Sequence, residues 1–263
     1  MSAWVYLLGN AILLIVYFTV FFIIAQIKKN NAIVDIGWGL GFVFVGLYSL
    51  LFRIISGATL YPFQIVITVL VTLWGLRLFL YISIRNFKKP EDYRYQAMRA
   101  KWQGKNEHVQ AYFRVFLPQA LFMATIAASI ITGYLSTRDV HIAYLLGGSL
   151  VTLTGLGFES VGDLQLRRFL RDPLNKGKIM DQGLWRYTRH PNYFGETLIW
   201  WGLWVIVVST DFGIYALISP LLISYLLLFV SGIPLLEKRY KDNPEFQAYK
   251  TKTSAFFPLP PKK

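Results

Sequence analysis

Residues 183–203 read GLWRYTRHPNYFGETLIWWGL, a basic, hydrogen-bonding loop that runs without a break into an apolar helix. Within it Asn192, Glu196 and Trp200 are four residues apart, so they share one helical face. A carboxylate inside an apolar span costs roughly 2.5–3.5 kcal/mol on insertion scales unless it is paired or faces a wet cavity. An amide, an acid and an indole in one line therefore predict a binding stripe for a polar ligand with an aromatic part. The plainer alternative is a helix N-terminus with packing residues.

Working outward, the 263 residues are 55% hydrophobic with mean hydropathy +0.44, which sets the chain apart from ordinary soluble globules. Apolar runs near the roughly 20 residues that cross a bilayer recur along it. Seven are read, at about 4–27, 32–55, 60–82, 115–135, 140–160, 193–210 and 212–234. The first lacks a basic start and is too long for a signal-peptide core, so it counts as a helix. Of the 27 Lys and Arg, only Arg53, Arg77 and Arg138 lie outside residues 28–31, 83–114, 161–192 and the tail from 235. That is the positive-inside pattern: N-terminus outside, C-terminus cytoplasmic. The expected architecture is a single all-α polytopic membrane domain over 1–263. Its cytoplasmic loops are 83–114 and 161–192 and its tail is 235–263.

The net charge of +13 so placed points to anionic headgroups or a phosphorylated small ligand rather than to nucleic acid. Cysteine is absent, which excludes disulfides, thiolate metal sites and cysteine nucleophiles. His108, His141 and His190 are too scattered to predict a metal centre. Gly37-Trp38-Gly39-Leu40-Gly41 lies in a membrane helix with no preceding strand, so close helix packing explains it better than a phosphate loop.

Ionisable residues in or near the spans are the natural site candidates. Asp35 opens the second span with Trp38 on its face, and it caps a helix, pairs with an arginine or works on a substrate. Arg77 shares a face with Trp74 and Tyr81 in the third span, and either snorkels or meets a phosphate or Asp35. Glu159 and Asp163 end the fifth span, where carboxylates suit ribose diols, and Arg171 follows with chemistry suited to phosphate. Glu237 and Tyr240 close the last span after Gly232 and Pro234, where a kink would turn them inward. The 83–114 loop mixes Tyr93, Tyr95, Met98 and Trp102 with basic residues, the pattern of an interfacial amphipathic helix. The 161–192 loop is long enough for a lid or binding role.

On these residues the chain resembles the steroid 5-alpha-reductase-like membrane family, in particular its bacterial branch. The motifs are Asp35-Ile36-Gly37-Trp38-Gly39, Arg77-Leu78, Glu91-Asp92-Tyr93-Arg94-Tyr95, Phe158-Glu159 with Asp163 and Gln165, Gly183–Trp200, and Gly232–Tyr240 with Tyr249. The resemblance implies a seven-helix fold whose cytoplasmic half holds NADPH, with an apolar enone entering from the lipid. It implies cofactor contacts at Asn192, Glu196 and Trp200, at Asp163 and Arg171, and at Tyr81. Arg77, Arg94, Glu159, Arg189, His190, Tyr193, Glu237 and Tyr240 complete the expected cofactor set. Animal members polarise the ketone with a second-helix Glu and a third-helix Tyr. Here those positions read Asp35 and Trp74, the two catalytic candidates, and an indole donates a hydrogen bond but is no general acid.

The leading expectation is thus an NADPH-dependent reductase of a conjugated C=C bond in a lipid, in a bacterial inner membrane. The alternatives are a methyltransferase using S-adenosylmethionine and a non-catalytic lipid- or cofactor-binding protein. Isoprenylcysteine and phospholipid methyltransferases resemble the chain around Arg189-His190-Pro191-Asn192-Tyr193. Their closing segment offers adjacent glutamates, whereas Glu237 is followed by Lys238.

Overall fold

A computed structural model describes residues 2–86 and 89–262. Phe87 and Lys88, within the expected 83–114 loop, lie outside them, as does the last residue of the tail. The described residues hold twelve α-helices with short 3-10 and π turns and no strand beyond an isolated parallel bridge between Thr188 and Ser254. Five helical stretches are long and apolar enough to cross a membrane: α1 (Ala3–Lys28), α2 (Ile33–Ile55), α3 (Pro62–Asn86), α8 (Ile142–Arg171) and Tyr215–Arg239. A sixth is the pair Glu107–Ile126 and Ala128–Leu135, bent by 49°. It contains α5 (Glu107–Ala111), a π turn, α6 (Leu117–Ile126) and α7 (Ala128–Leu135), while α4 (Tyr93–Ala100) precedes it.

Three expectations shift. The segment read as the sixth span is α9 (Pro191–Val207), a helix of 17 residues. At 1.5 Å per residue it is about 26 Å long, short of a hydrocarbon core of about 30 Å. Among the described residues five to six stretches thus have the length and composition of a span, and α9 is the one of the seven runs read that falls just short. The fifth helix continues to Arg171, because charge alone does not end a helix and no breaker arrives before Asp172-Pro173. Glu159 and Asp163 thus sit inside a helix of about 45 Å rather than at its end. The loop read as 83–114 ends early, since helix resumes at Glu107 under an Asn106 side-chain cap.

The chain divides into two compact units, one of Met1–His141 with Val207–Ile218 and one of Ile142–Ile206 with Ser219–Lys263. In the first, α2 and α3 cross so closely that a Cβ on Gly75 would lie 2.5 Å from the Gly39 carbonyl oxygen. Arg53, the cation near the end of α2, donates to the carbonyl oxygens of Thr59, Tyr134 and Ser136 at 2.8, 3.0 and 3.0 Å. A charged side chain in an apolar stretch thereby finds three acceptors.

In the second unit, glycines seven residues apart seam α8 to α9. A Cβ on Gly148 would meet the Gly202 carbonyl oxygen at 2.6 Å, and one on Gly155 the Gly195 oxygen at 2.5 Å. One on Gly162 would touch the Pro191 ring at 3.1 Å. Small side chains at this period let two backbones approach, the usual device where lipid removes the hydrophobic drive between helices. By contrast, nothing lies within 4 Å of a Cβ on Gly147. Gly155→Leu should therefore cost about 1–3 kcal/mol by overpacking. It should lower the melting temperature of the detergent-purified protein, while Gly147→Ala holds or raises it.

Candidate functional site

Helix α9 starts at Pro191, where a missing N–H costs nothing, so the residues before it are free to follow the loop. That loop carries Arg189 and His190, both buried. Arg189 donates Nε and Nη2 to Glu237 Oε1 at 2.8 and 2.6 Å, and Lys250 Nζ pairs with Glu237 Oε2 at 2.8 Å. His190 Nε2 lies 3.4 Å from the same Oε1. Arg189 Nη1 also donates to the Thr253 and Lys250 carbonyls. Glu237 comes from α11 (Ile233–Arg239), and Lys250 from α12 (Pro244–Lys252).

The tail is fastened over the same loop. Thr188 Oγ1 donates to the Phe256 carbonyl at 2.8 Å, Arg189 N to Ser254 O at 2.9 Å and Leu259 N to Tyr187 O at 3.0 Å. Tyr249 donates to the Trp185 carbonyl, and Trp185 Nε1 reaches the Gly162 carbonyl on α8 at 3.0 Å. Burial pushes the Tyr249 phenol up, which keeps it a donor.

Between these elements lies a largely apolar cavity of about 150 Å³, lined by Phe169, Met180, Trp185, Tyr240 and Tyr249, with Arg189, His190 and Glu237 as its polar side. Burial lowers the His190 pKa, Arg189 adds to the effect, and the Glu237 contact opposes it. A neutral imidazole that gives its Nε2 proton to Glu237 presents Nδ1 as a lone pair. Nδ1 is buried without a hydrogen-bond partner, as are Asn192 Oδ1 and Thr197 Oγ1 on α9. Buried polar atoms of this kind call for a ligand or water.

The second unit holds the expected residues from Glu159 onward. Glu159 and Asp163 are both buried, and Asn192 Nδ2 is 3.4 Å from Asp163 Oδ1. Tyr193 stacks on His190 at 5.4 Å, and Tyr240 on Phe246 at 5.2 Å. Glu196 is half-buried and Trp200 wholly buried on the α9 face that their spacing predicts. Arg171 is not part of the cluster; it is exposed as the last residue of α8.

The remaining candidates belong to the first unit. Asp35 accepts from Arg94 Nη2 at 2.9 Å and from Tyr95 Oη at 2.7 Å, so the pairing alternative holds. Arg94, expected at the cofactor, also binds Asp92 at 2.8 Å. Burial, then the neighbouring Asp35, push the Tyr95 phenol up, so it too stays a donor. Trp74 is fully buried, with its ring 5.5 Å from Phe42. Arg77 and Arg85 lie over the Tyr81 ring at 5.9 and 5.4 Å. Sequence reasoning missed Tyr95 as the partner of Asp35, and Lys250 and Thr253 as partners of the Glu237–Arg189 pair. Only tertiary contact reveals them, although Tyr95 and Tyr249 stand in the quoted motifs. Among the described residues no group of three or more His, Cys, Asp or Glu could hold a metal ion.

Several long apolar helices mark a multi-pass membrane protein. Residues 21–253 match the family described as "Protein of unknown function (DUF1295)", and the chain belongs to that family. Neither a curated protein nor a solved structure matches it.

Lowered in the fold, the His190 pKa makes stability depend on pH. The unfolded chain takes up a proton near the ordinary imidazole value of 6.5 before the folded one does. Stability is then fully present above pH 6.5 and falls as pH drops towards the folded pKa. Melting curves of the purified protein should show that decline, and His190→Asn should flatten it.

Proposed function

We propose that this chain is a membrane-embedded, NADPH-dependent reductase of a conjugated C=C bond in a lipid or steroid-like enone, of the steroid 5-alpha-reductase-like type. The observation that carries the reading is a pair of buried, unpartnered acceptors two residues apart, His190 Nδ1 on an apolar cavity and Asn192 Oδ1 just after it in the chain. Acceptors require a ligand that donates. Ribose hydroxyls and amide or amino groups donate, whereas phosphate oxygens do not. The aromatic lining of Trp185, Tyr240 and Tyr249 suits a flat ring. In a cavity of about 150 Å³ the residues present thus fit one flat-ring end of a nicotinamide dinucleotide rather than the whole of it. His190, Asn192 and Tyr193 would hold its donor groups, with Glu159, Asp163 and Glu196 nearby on α8 and α9. Trp200 would pack on the same helix face.

When bound, NADPH supplies the hydride that goes to the β carbon. The chain orients it, excludes water with the aromatic lining, and must offer a hydrogen bond to the carbonyl oxygen on which charge builds, worth roughly 3–4 kcal/mol. Trp74 Nε1 is one candidate donor; Asp35 is the other in its protonated form, since as a carboxylate it accepts from Arg94 and Tyr95 and has no proton to give. For topology we propose seven spans, with the bent pair and α9 each crossing once, the N-terminus outside and the C-terminus in the cytoplasm of a bacterium. Seventeen residues stand at the short end of the range for a span, and the basic loops agree in side.

The second reading is an S-adenosylmethionine-dependent methyltransferase, which would also bring ribose and a flat base. Against it, Arg189 and Lys250 neutralise Glu237, and Lys178 adds positive charge at the same cavity. A sulfonium or ammonium gains nothing there.

Calorimetry of the purified protein should show NADPH binding that weakens with salt. Glu196→Ala should weaken it about tenfold, a loss of roughly 1.4 kcal/mol. Binding of S-adenosylmethionine without NADPH would overturn the assignment. Under single turnover with a bound enone, Asp35→Asn should keep NADPH affinity and slow reduction; undiminished hydride transfer would remove Asp35 from the reaction.

A further inference from the structure

The tail builds a second cavity that the proposed reductase reading does not use. After α12 the chain reverses, Thr188 and Ser254 bridge, and Lys262 N donates to the Lys252 carbonyl at 2.9 Å. This brings Lys250, Lys252 and Lys262 to one cavity of about 300 Å³, with buried Arg189 at its base and Leu259 at its edge. Glu237, the acid bonded to Lys250 and Arg189, is already shared between them. Lys252 and Lys262 have no ion pair among the described residues, and neither does the Ser254 hydroxyl have a hydrogen bond. Drawing like charges together raises their energy unless an anion joins them. The backbone bond between residues 252 and 262 nevertheless holds the two lysines side by side.

We infer that this tail cavity binds a phosphate group, gripped by Lys252, Lys262 and the Ser254 hydroxyl. The chemistry is that of a phosphate ester flanked by charge-assisted donors. Two sources carry such a group: the 2′-phosphate of a nucleotide, and the headgroup of an anionic phospholipid, which exposed Leu259 and Phe257 would accompany. The inference stands independently of the reductase reading.

The test uses the full chain, purified and reconstituted in nanodiscs, as wild type and as a variant with Lys252→Glu and Lys262→Glu together. Both lysines are exposed, so the variant should melt as the wild type does. In one arm, 2′,5′-ADP is titrated by calorimetry; in the other, phosphatidylglycerol carried through detergent extraction is counted by native mass spectrometry against phosphatidylcholine. Retention of either probe by the wild type, with about tenfold weaker 2′,5′-ADP binding or loss of phosphatidylglycerol adducts in the variant, supports the cavity and names its source. Equal behaviour of wild type and variant in both arms overturns it. NADPH binding by a variant that matches the wild type in both arms sinks the cavity alone. Phosphatidylglycerol retention without NADPH binding sinks the reductase alone.

Discussion

One carboxylate, Glu237, ties the second unit together. It takes Arg189 and His190 on one oxygen, where water is largely excluded, and the half-exposed Lys250 on the other. Removing one partner from such a pair leaves an uncompensated buried charge, which is far more costly than the pair is favourable. The arrangement therefore forces the loop before α9, α11 and α12 to form together. Arg189 extends the constraint by donating to carbonyls of the tail, and the bonds from Thr188 to residues 255 and 256 complete it. A loop whose local sequence is flexible is in this way held still beside its cavity.

Glycine supplies the complementary constraint on the helices. The seven-residue spacing of Gly148, Gly155 and Gly162 on α8 meets Gly202, Gly195 and Pro191 on α9. The close approach buries Glu159 and Asp163 on the contacting helix and brings Asp163 to Asn192. Polar side chains carried by a long helix are thereby concentrated at the start of a short one. Beside this seam His190 Nδ1 and Asn192 Oδ1 are buried and lack protein partners.

In the first unit the polar groups are mostly consumed by structure. Arg53 closes on three carbonyls, and Asp35 is held by Arg94 and Tyr95. The side-chain network of Glu91, Arg99 and Glu107 with the backbone of Asn31 then fastens the segment after α3 to the turn between α1 and α2. A charge in an apolar helix is thus a sign of either function or fastening, and its partners decide which.

The all-helical class, most of the spans and the stretch that matters could be read from the chain because hydrophobic runs, turn residues and fourfold spacing are local properties. Asn192, Glu196 and Trp200 share their face as their spacing requires, and the Arg189-His190 loop enters the helix at Pro191. What was not legible depended on distance in space. The helix carrying Glu159 ran on past its apolar part because nothing local stopped it, and α9 came out short. The partners of Glu237 and Asp35 come from elements far along the chain, where only close packing and the expense of burying unpaired charge choose among many possible donors. Local chemistry therefore determined which polar residues the helices carry; the folded arrangement alone decided which are spent on holding the protein together and which keep a buried polar atom without a protein partner.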